Sequence, residues 1–301
     1  MNDHLEFLAA FEAIGCEVAA QVPLSEYTTF RIGGAAEFFA CPASPEQIGA
    51  LLRLCHSYQL PYYVLGKGSN LLVSDQGVRG VVISTQKLDR ITLLPDHRIR
   101  CESGVPLVRV CRFALEQGLA GLEFAYGIPG TAGGAALMNA GAYGGEMRDV
   151  LISCDHVDAD GSFGSFSGDA LALRYRGSVY ADSDRVITSI TLQLQPGDPA
   201  AIRERMEELM SRRREKQPLE YPSAGSTFKR PTGYYAGALI EQCGLKGAAV
   251  GGAQVSEKHA GFIINRGGAT AADVRALIEH CRATVKNETG VLLEPEVKFI
   301  G

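Results

Sequence analysis

Three clusters of glycine and small polar residues are the first candidates for chemistry in this chain. They are Arg31-Ile32-Gly33-Gly34, then Gly66-Lys67-Gly68-Ser69-Asn70-Leu71-Leu72, and a long run from Gly127-Ile128-Pro129-Gly130-Thr131-Ala132-Gly133-Gly134-Ala135 to Met138-Asn139-Ala140-Gly141-Ala142-Tyr143-Gly144-Gly145-Glu146. Successive residues without a Cβ let the backbone approach a ligand closely and turn its N–H groups inward, which makes a nest for a phosphate or pyrophosphate. Ser69, Asn70, Thr131 and Asn139 add short polar groups able to bind phosphate or the edge of a heterocycle. A lone glycine or an isolated pair reads as a turn or bulge. Three dense clusters in the first half of the chain point instead to a bound dinucleotide cofactor.

Two familiar phosphate motifs do not fit these clusters. A Rossmann turn needs strand, glycines and helix in one βαβ unit, with an acid about 20 residues on. Gly66-Lys67-Gly68-Ser69 starts at a strand end but gives way to Asn70-Leu71-Leu72-Val73, which is not helical in pattern. A P-loop needs GxxxxGK[ST], and here Gly66-Lys67 is followed by Gly68, with Pro61 where the leading glycine belongs.

The elements that must position these clusters follow from periodicity. Residues 44–59 read as a helix, with Ser44 and Gln47 as a capping box, Pro45 at the first helical position and Ile48, Leu51, Leu52 and Cys55 as one stripe. An apolar strand over 60–65 ends at Gly66, and another covers 81–84; ligands of open α/β sheets gather at such strand ends. From about 86 to 198 strand-like runs at 99–102, 150–153 and 186–192 surround one helix, 106–117, and Asp160-Gly161 marks a hairpin. An amphipathic helix spans 199–216, with Ile202, Met206, Leu209 and Met210 on one face, and 217–222 reads as a linker. Helices at about 234–243 and 271–286 follow; Thr270 opens the second and Gly290 stops it. A strand over 291–299 closes the chain. The expected domains are 1–85 (to which 291–301 returns), 86–198 and 199–290.

Composition narrows the function classes. The 301 residues carry 29 Lys plus Arg against 34 Asp plus Glu, a formal charge of −5, with 46% hydrophobic and 21% charged residues. That is the balance of a folded, soluble protein of two or three domains. A mildly acidic chain lacks the broad positive footprint of a nucleic-acid binder. The run Arg212-Arg213-Arg214 reads as a solvated helix end, where cations suit the dipole. The eight cysteines, at 16, 41, 55, 101, 111, 154, 243 and 281, form no CxxC pair and read as buried free thiols of a cytoplasmic protein. The six histidines show no metal-ligand spacing, so no metal site is expected. The first six residues, Met1-Asn2-Asp3-His4-Leu5-Glu6, lack the basic start of a signal peptide, and no stretch approaches the ~20 apolar residues of a membrane span.

The 66–72 and 127–146 segments, together with Tyr221-Pro222-Ser223-Ala224-Gly225-Ser226-Thr227-Phe228-Lys229-Arg230-Pro231, resemble the UDP-N-acetylenolpyruvoylglucosamine reductase (MurB) family. So do Gly251-Gly252-Ala253-Gln254-Val255-Ser256-Glu257-Lys258-His259-Ala260-Gly261-Phe262-Ile263-Ile264-Asn265 and the closing Glu294-Pro295-Glu296-Val297. The likeness runs in order from about Pro23 to the C-terminus. It implies an α+β chain with an FAD-binding fold of the vanillyl-alcohol-oxidase (PCMH) type in two subdomains, plus a C-terminal α+β substrate-binding domain. It also implies an enzyme of bacterial peptidoglycan synthesis in which NADPH reduces non-covalent FAD. The flavin then passes a hydride to the enolpyruvyl β-carbon of UDP-N-acetylglucosamine enolpyruvate, giving UDP-N-acetylmuramate. The short chain with its Tyr-Pro-Ser-Ala-Gly-Ser form resembles the second family type, which lacks a substrate-capping loop bearing a Tyr.

The resemblance also assigns residues. Ser226 matches the proton donor to the α-carbon; a hydroxyl can do this only if neighbouring donors stabilise the alkoxide left behind. Glu296 matches the catalytic carboxyl, able to donate to the enolate if it holds its proton in a dry site. Arg176 matches the arginine that binds the substrate carboxylate, a task its planar fork suits. Taken alone, Ser226 reads as a turn serine, Glu296 as a surface carboxylate and Arg176 as half of a surface ion pair. The FAD contacts carry over to Gly66, Lys67, Gly68, Ser69, Asn70, Leu71, Gly127, Pro129, Gly130, Thr131, Gly133, Gly134, Asn139, Ala140 and Gly141, with Arg31 and Ile32. Tyr143, Tyr175, Lys229 and Arg230 are the candidates for the UDP-sugar, the Lys–Arg pair as diphosphate ligands or as two solvated loop cations. NADPH is expected to use the same cleft in turn.

Two other functions compete. An FAD-dependent oxidase of the same fold would need neither Ser226 nor the Lys–Arg pair. Many such oxidases bind flavin covalently through His or Cys, and segments 66–72 and 127–146 contain neither. A flavin-binding sensor or scaffold without catalysis would have no use for Ser226, Arg176 and Glu296 together.

Overall fold

The computed structural model describes residues 2–301, with side chains from residue 7 onward; residue 1 and the side chains of 2–6, where the sequence is searched for a leader, lie outside the described residues. Contacts group the chain into two compact units. The first comprises Met1–Ala20, Phe38–Lys67 and Gly80–Arg212, the second Gln21–Glu37, Gly68–Arg79 and Arg213–Gly301.

The first unit has two cores. One lies on a five-stranded antiparallel sheet in the order Phe163–Ser167, Leu151–Val157, Val186–Gln193, Arg98–Glu102, Ile91–Leu94. In the strand Arg98–Glu102, Ile99 and Cys101 are buried while Arg98 and Arg100 are not, the alternation of a sheet covered on one face. The helix Leu107–Glu116 adds Leu107, Val110, Cys111 and Ala114 to that core. The hairpin at Asp160-Gly161 forms as the sequence predicts, with Val157 opposite Phe163 and Gly161 at φ +80°. The other core gathers Phe7, Phe11, Phe38, Ile48, Leu51, Leu52, Val81 and Ile83. There Tyr62–Leu65 pairs in parallel with residues 81–84, and Val81-Val82-Ile83 are all fully buried, as in a sheet covered on both faces.

The helix Pro45–Ser57 forms only half of its predicted capping box. Ser44 Oγ accepts from Gln47 N (3.3 Å), but Gln47 Oε1 accepts from Ala43 N (2.7 Å) and not from Ser44. The expectation of a single helix between 86 and 198 also needs correction. Ala132–Leu137 is a short helix inside the third glycine cluster, with Thr131 Oγ1 accepting from Gly134 N (3.4 Å). Packing decides this: a Cβ on Gly133 would lie 2.7 Å from Ser103 Cβ, so the glycine is what lets this helix sit down. The helix Pro199–Lys216 buries Ile202, Met206 and Leu209 as its stripe requires. Arg213 is only 9% exposed, so the arginine run is not simply a solvated helix end.

In the second unit the helix Ala271–Thr289 is capped by Thr270 and Asp273 in a reciprocal box and stops at Gly290, φ +76°. Its Val274, Leu277, Ile278, Cys281 and Val285 pack with Leu239, Ile240, Ala253, Val255 and Ile263 from the helix Ala236–Gln242 and the three-stranded sheet Ala249–Val250, Ala253–Val255, Ile263–Asn265. The single strand expected over 291–299 is broken. Pro295 bridges Phe228, flanked by Lys229 N to Glu294 O and Glu296 N to Thr227 O (both 2.8 Å), so its missing N–H falls at a position with no ladder bond to make. Only Lys298–Ile300 then forms a regular strand, parallel to Leu71–Val73. These pairings place 68–79 with the C-terminal part, a grouping different from the consecutive segments 1–85, 86–198 and 199–290.

All eight cysteines are free, seven of them buried. Among the described residues no helix is long and apolar enough to cross a membrane, and no group of three or more His, Cys, Asp or Glu side chains could hold a metal ion.

Candidate active site

A cleft of about 280 Å³ opens in the first unit. Four residues expected to bind cofactor line it: Gly66, Thr131, Gly133 and Gly134. Gly66 follows the strand Tyr62–Leu65, and a Cβ there would lie 2.6 Å from Thr131 Oγ1, so bare backbone is needed where strand end and helix meet. Thr85, Ser103, Tyr180 and Arg185 also line the cleft, and sequence reasoning missed them. The missed Ser103 is the most informative. It is 1% exposed and, among the described residues, its Oγ has no hydrogen-bond partner, although buried hydroxyls are nearly always paired. A buried, unpartnered hydroxyl beside a cleft lined by glycine backbone fits a polar group of a nucleotide cofactor. Burial pushes the Tyr62 phenol up to about 12, so it presents a neutral hydroxyl group.

The other predicted residues of the first unit take different places. Lys67 is exposed, and Gly127, Pro129 and Gly130 form the turn leading into the Thr131 cap, where Gly130 O accepts from Leu107 N (3.0 Å). Ala140 is fixed through both backbone groups, to Ala135 O (2.8 Å) and from Met147 N (2.9 Å), while Gly141 pairs with Glu146. Asn139 departs from expectation: it is 1% exposed and its amide is bonded to Glu146, Arg148 and Arg174 within the protein. Tyr143 is exposed with φ +54°. Tyr175 and Arg176 form a turn between Arg174 and Gly177, with the Arg176 guanidinium 5.2 Å from the Tyr175 ring centre.

In the second unit backbone pairing sets Glu296 opposite Thr227, the residue that follows Ser226. Thr227 O accepts from Glu296 N, and Thr227 is itself held by Gly261 O (2.8 Å) and by Ile263 N on its Oγ1 (3.0 Å). Gly225, at φ +76°, turns the chain into this segment. Among the described residues no hydrogen bond occupies the half-buried Ser226 hydroxyl. Asn70 Nδ2 donates to Glu296 O (3.2 Å), and Asn70 O accepts from Lys298 N (3.0 Å). Lys229 Nζ pairs with Glu294 Oε1 (2.9 Å), and that bond holds the Glu294 carboxyl below the usual carboxylate range. The Arg230 guanidinium stands 4.0 Å from the centre of the exposed Tyr235 ring. Gly68, at φ +60°, packs against the backbone of Tyr27 and Thr28, while Ser69 and Leu71 are half-buried. Arg31 is exposed; Ile32 is 2% exposed in the apolar core, so only its backbone is available to a ligand.

Two family models match the chain. Residues 217–300 match a family model described as UDP-N-acetylenolpyruvoylglucosamine reductase, C-terminal domain, and residues 36–167 match one described as FAD binding domain. The chain is 46% identical over 303 residues to UDP-N-acetylenolpyruvoylglucosamine reductase of Clostridium perfringens, covering 100% of this chain and 99% of that one. It is 47% identical to the Clostridium botulinum protein of the same name, with the same coverage. The crystal structure of the reductase from Thermus caldophilus superposes with a TM-score of 0.81 at 35% identity, over 95% of this chain and 99% of that one. Berberine bridge enzyme from Eschscholzia californica matches with a TM-score of 0.50 at 15% identity, over 64% of this chain and 44% of that one, a likeness of fold alone. The fold is therefore of the expected kind, an α+β chain with an FAD binding domain followed by the C-terminal domain of the reductase family.

Proposed function

The chain belongs to the UDP-N-acetylenolpyruvoylglucosamine reductase family, and on that premise we propose how its residues share the reduction of UDP-N-acetylglucosamine enolpyruvate to UDP-N-acetylmuramate in peptidoglycan precursor synthesis. FAD, when bound, would supply the hydride for the enolpyruvyl β-carbon, with NADPH as the source of its reducing equivalents. Gly66, Ser103, Thr131, Gly133 and Gly134 hold the cofactor through backbone and hydroxyl groups. Ser226 gives its hydroxyl proton to the α-carbon. Glu296 donates to the enolate oxygen as charge builds there, and Arg176 binds the substrate carboxylate through its planar fork. Tyr143, Tyr175 and Arg230 meet the UDP-sugar; Lys229 does so by exchanging Glu294 for the diphosphate.

The observation that carries this reading is the pairing of the Ser226 and Glu296 segments. A proton donor and an enolate-stabilising carboxyl must hold a fixed spacing, and backbone bonds on both sides of Phe228 and Pro295 supply it. As functional segments, which differ from the two compact units, 1–85 and 86–198 take the flavin and 199–290 the substrate; NADPH and the UDP-sugar use one cleft in turn, and the chain is a cytoplasmic protein of the type without a Tyr capping loop. The oxidase alternative is not favoured: the glucose oxidase variant of Phl p 4 is 14% identical at a TM-score of 0.50, which is fold alone.

An anaerobic flavin titration tests it. NADPH should bleach the visible flavin band, and UDP-N-acetylglucosamine enolpyruvate should restore it with formation of UDP-N-acetylmuramate. A band restored only by oxygen would return the oxidase reading.

A further inference from the structure

Asn139 lies just beyond the helix Ala132–Leu137, almost fully buried, in left-handed backbone at φ +40°. Its amide has two donor hydrogens and a carbonyl oxygen. Nδ2 donates to Glu146 Oε2 (2.9 Å) and to the carbonyl oxygen of Arg174 (3.2 Å), and Oδ1 accepts from Arg148 N (2.8 Å). Both donors are spent inside the protein, so this side chain has none left for a flavin or a phosphate.

The Arg174 carbonyl is one corner of a tight turn. Arg174 N donates to Gly177 O (3.0 Å) and Gly177 N to Arg174 O (3.1 Å), which makes Tyr175 and Arg176 the two central residues. Arg176 is the second of them, at φ +54°, where a turn of this kind usually takes glycine. A long side chain persists in that conformation only where its surroundings over-determine it. The surroundings here are a set of bonds to the neighbouring turn residues. The Arg148 guanidinium donates to Leu173 O, and the Arg174 guanidinium to Ser178 O (3.0 Å) and Asp182 (2.8 Å). Ser178 Oγ donates to Leu137 O (2.9 Å). Asn139 and Ser178 thus fasten the turn to the helix whose Gly133 and Gly134 wall the cleft.

We infer that Asn139 is a positioning residue for Arg176: by holding the Arg174 carbonyl it sets where the guanidinium stands relative to the cleft wall, and through it the affinity for the carboxylate of the substrate. The inference rests on the carboxylate-binding role of Arg176 proposed above.

The test is a double-mutant cycle on the oxidised holoenzyme, read as equilibrium binding of two ligands, UDP-N-acetylmuramate, which has the carboxylate, and UDP-N-acetylglucosamine, which lacks it. Asn139→Ala should weaken UDP-N-acetylmuramate on the order of tenfold, the scale set by displacement of a positioned group, and leave UDP-N-acetylglucosamine unchanged. Arg176→Ala should show the same selectivity, and the double variant should lose no more than Arg176→Ala alone. If Asn139→Ala loses its flavin, Asn139→Asp replaces it, since it keeps the acceptor for Arg148 N–H and removes both donors. Equal weakening of the two ligands, or additive losses in the double variant, would overturn the inference and leave Asn139 a purely structural residue. An Arg176→Ala variant that binds UDP-N-acetylmuramate normally would remove the role of Arg176 first, and the role of Asn139 with it.

Discussion

Asn70 Nδ2 donates to the carbonyl oxygen of Glu296 across 3.2 Å, so a residue of the second glycine cluster holds the main chain of the residue that bears the proposed catalytic carboxyl. Its own carbonyl accepts from Lys298 N, which fixes the chain on the far side of Glu296 as well. Asn70→Ala should cost about 1 kcal/mol of stability, the worth of one such bond. It should slow flavin reoxidation by the enolpyruvyl substrate several-fold while NADPH reduction keeps its rate. Stopped-flow measurement of the two half-reactions checks this; equal slowing of both would show that Asn70 serves the flavin and not Glu296.

Ser226 separates the half-reactions more sharply. Ser226→Ala removes the proposed proton donor and nothing that NADPH needs. Reduction of the flavin should survive, and reoxidation by the enolpyruvyl substrate should fall by ~100-fold or more, the usual contribution of a positioned acid. Unimpaired reoxidation in this variant would end the assignment of Ser226 as donor.

What the sequence revealed was what local rules decide. Thr270 and Gly290 bracket a helix by chemistry at its two ends, and Asp160-Gly161 marks the loop between the paired residues Val157 and Phe163. The helix Ala132–Leu137 is not legible in the sequence because glycine is a poor helix former, whereas the close approach of Ser103 is what calls for Gly133 there. Pro295 was passed over as part of a strand because its bridge to Phe228, a partner far along the chain, is invisible to periodicity. In the site, Ser226, Arg176 and Glu296 were legible only through the family resemblance. Asn139 was read as a cofactor ligand because an amide in a glycine-rich run looks the same whether its partners are a nucleotide or Glu146 and Arg174. Ser103 carried no sequence signal at all; its meaning lies in burial without a partner.

Arg176 sits where a glycine would be comfortable, so Arg176→Gly should trade binding for stability. Left-handed backbone costs a non-glycine residue ~1–2 kcal/mol, and glycine gives back ~0.5–1 kcal/mol of that through its freer unfolded chain. The free energy of unfolding should therefore hold or rise, by up to ~1 kcal/mol, while reoxidation by the enolpyruvyl substrate is lost. Chemical denaturation of the variant beside the native protein is the check. A loss of more than ~1 kcal/mol, the common outcome of an arbitrary substitution, would mean that contacts of the Arg176 side chain outweigh its backbone strain.

Ser103 predicts opposite effects on the free protein and on cofactor retention. A buried hydroxyl without a partner is a liability of ~1–3 kcal/mol, so Ser103→Ala should leave the flavin-free protein as stable or more so. If the hydroxyl is reserved for FAD, the same change should weaken FAD binding by about three- to tenfold, one neutral hydrogen bond. Flavin fluorescence during reconstitution measures the second effect and a thermal melt the first. Unchanged FAD affinity would exclude Ser103 from the cofactor site.

His259 makes acid a specific threat to the segment beside Ser226. Gly261 N donates to its Nδ1 (3.1 Å), so that nitrogen carries no proton and the ring is neutral. Burial, aided by the charge of Lys246, holds the imidazole below its ordinary value against the pull of its backbone bond and of Glu241. Above about pH 6.5 the folded and unfolded chains are both neutral here, and no stability depends on the group. Below it the unfolded chain takes up the proton first, so stability present at neutral pH is lost as pH falls towards the folded value. His156, also depressed mainly by burial, works in the same direction. The melting temperature should therefore drop between pH 7.5 and 5.5, and drop less in His259→Gln. Because Thr227 N donates to Gly261 O, protonation of His259 also disturbs the residue next to Ser226, and acid should slow reoxidation by substrate more than reduction by NADPH. A His259→Gln variant whose melting temperature falls as steeply as that of the native protein would assign the acid loss to His156 or to carboxylates instead.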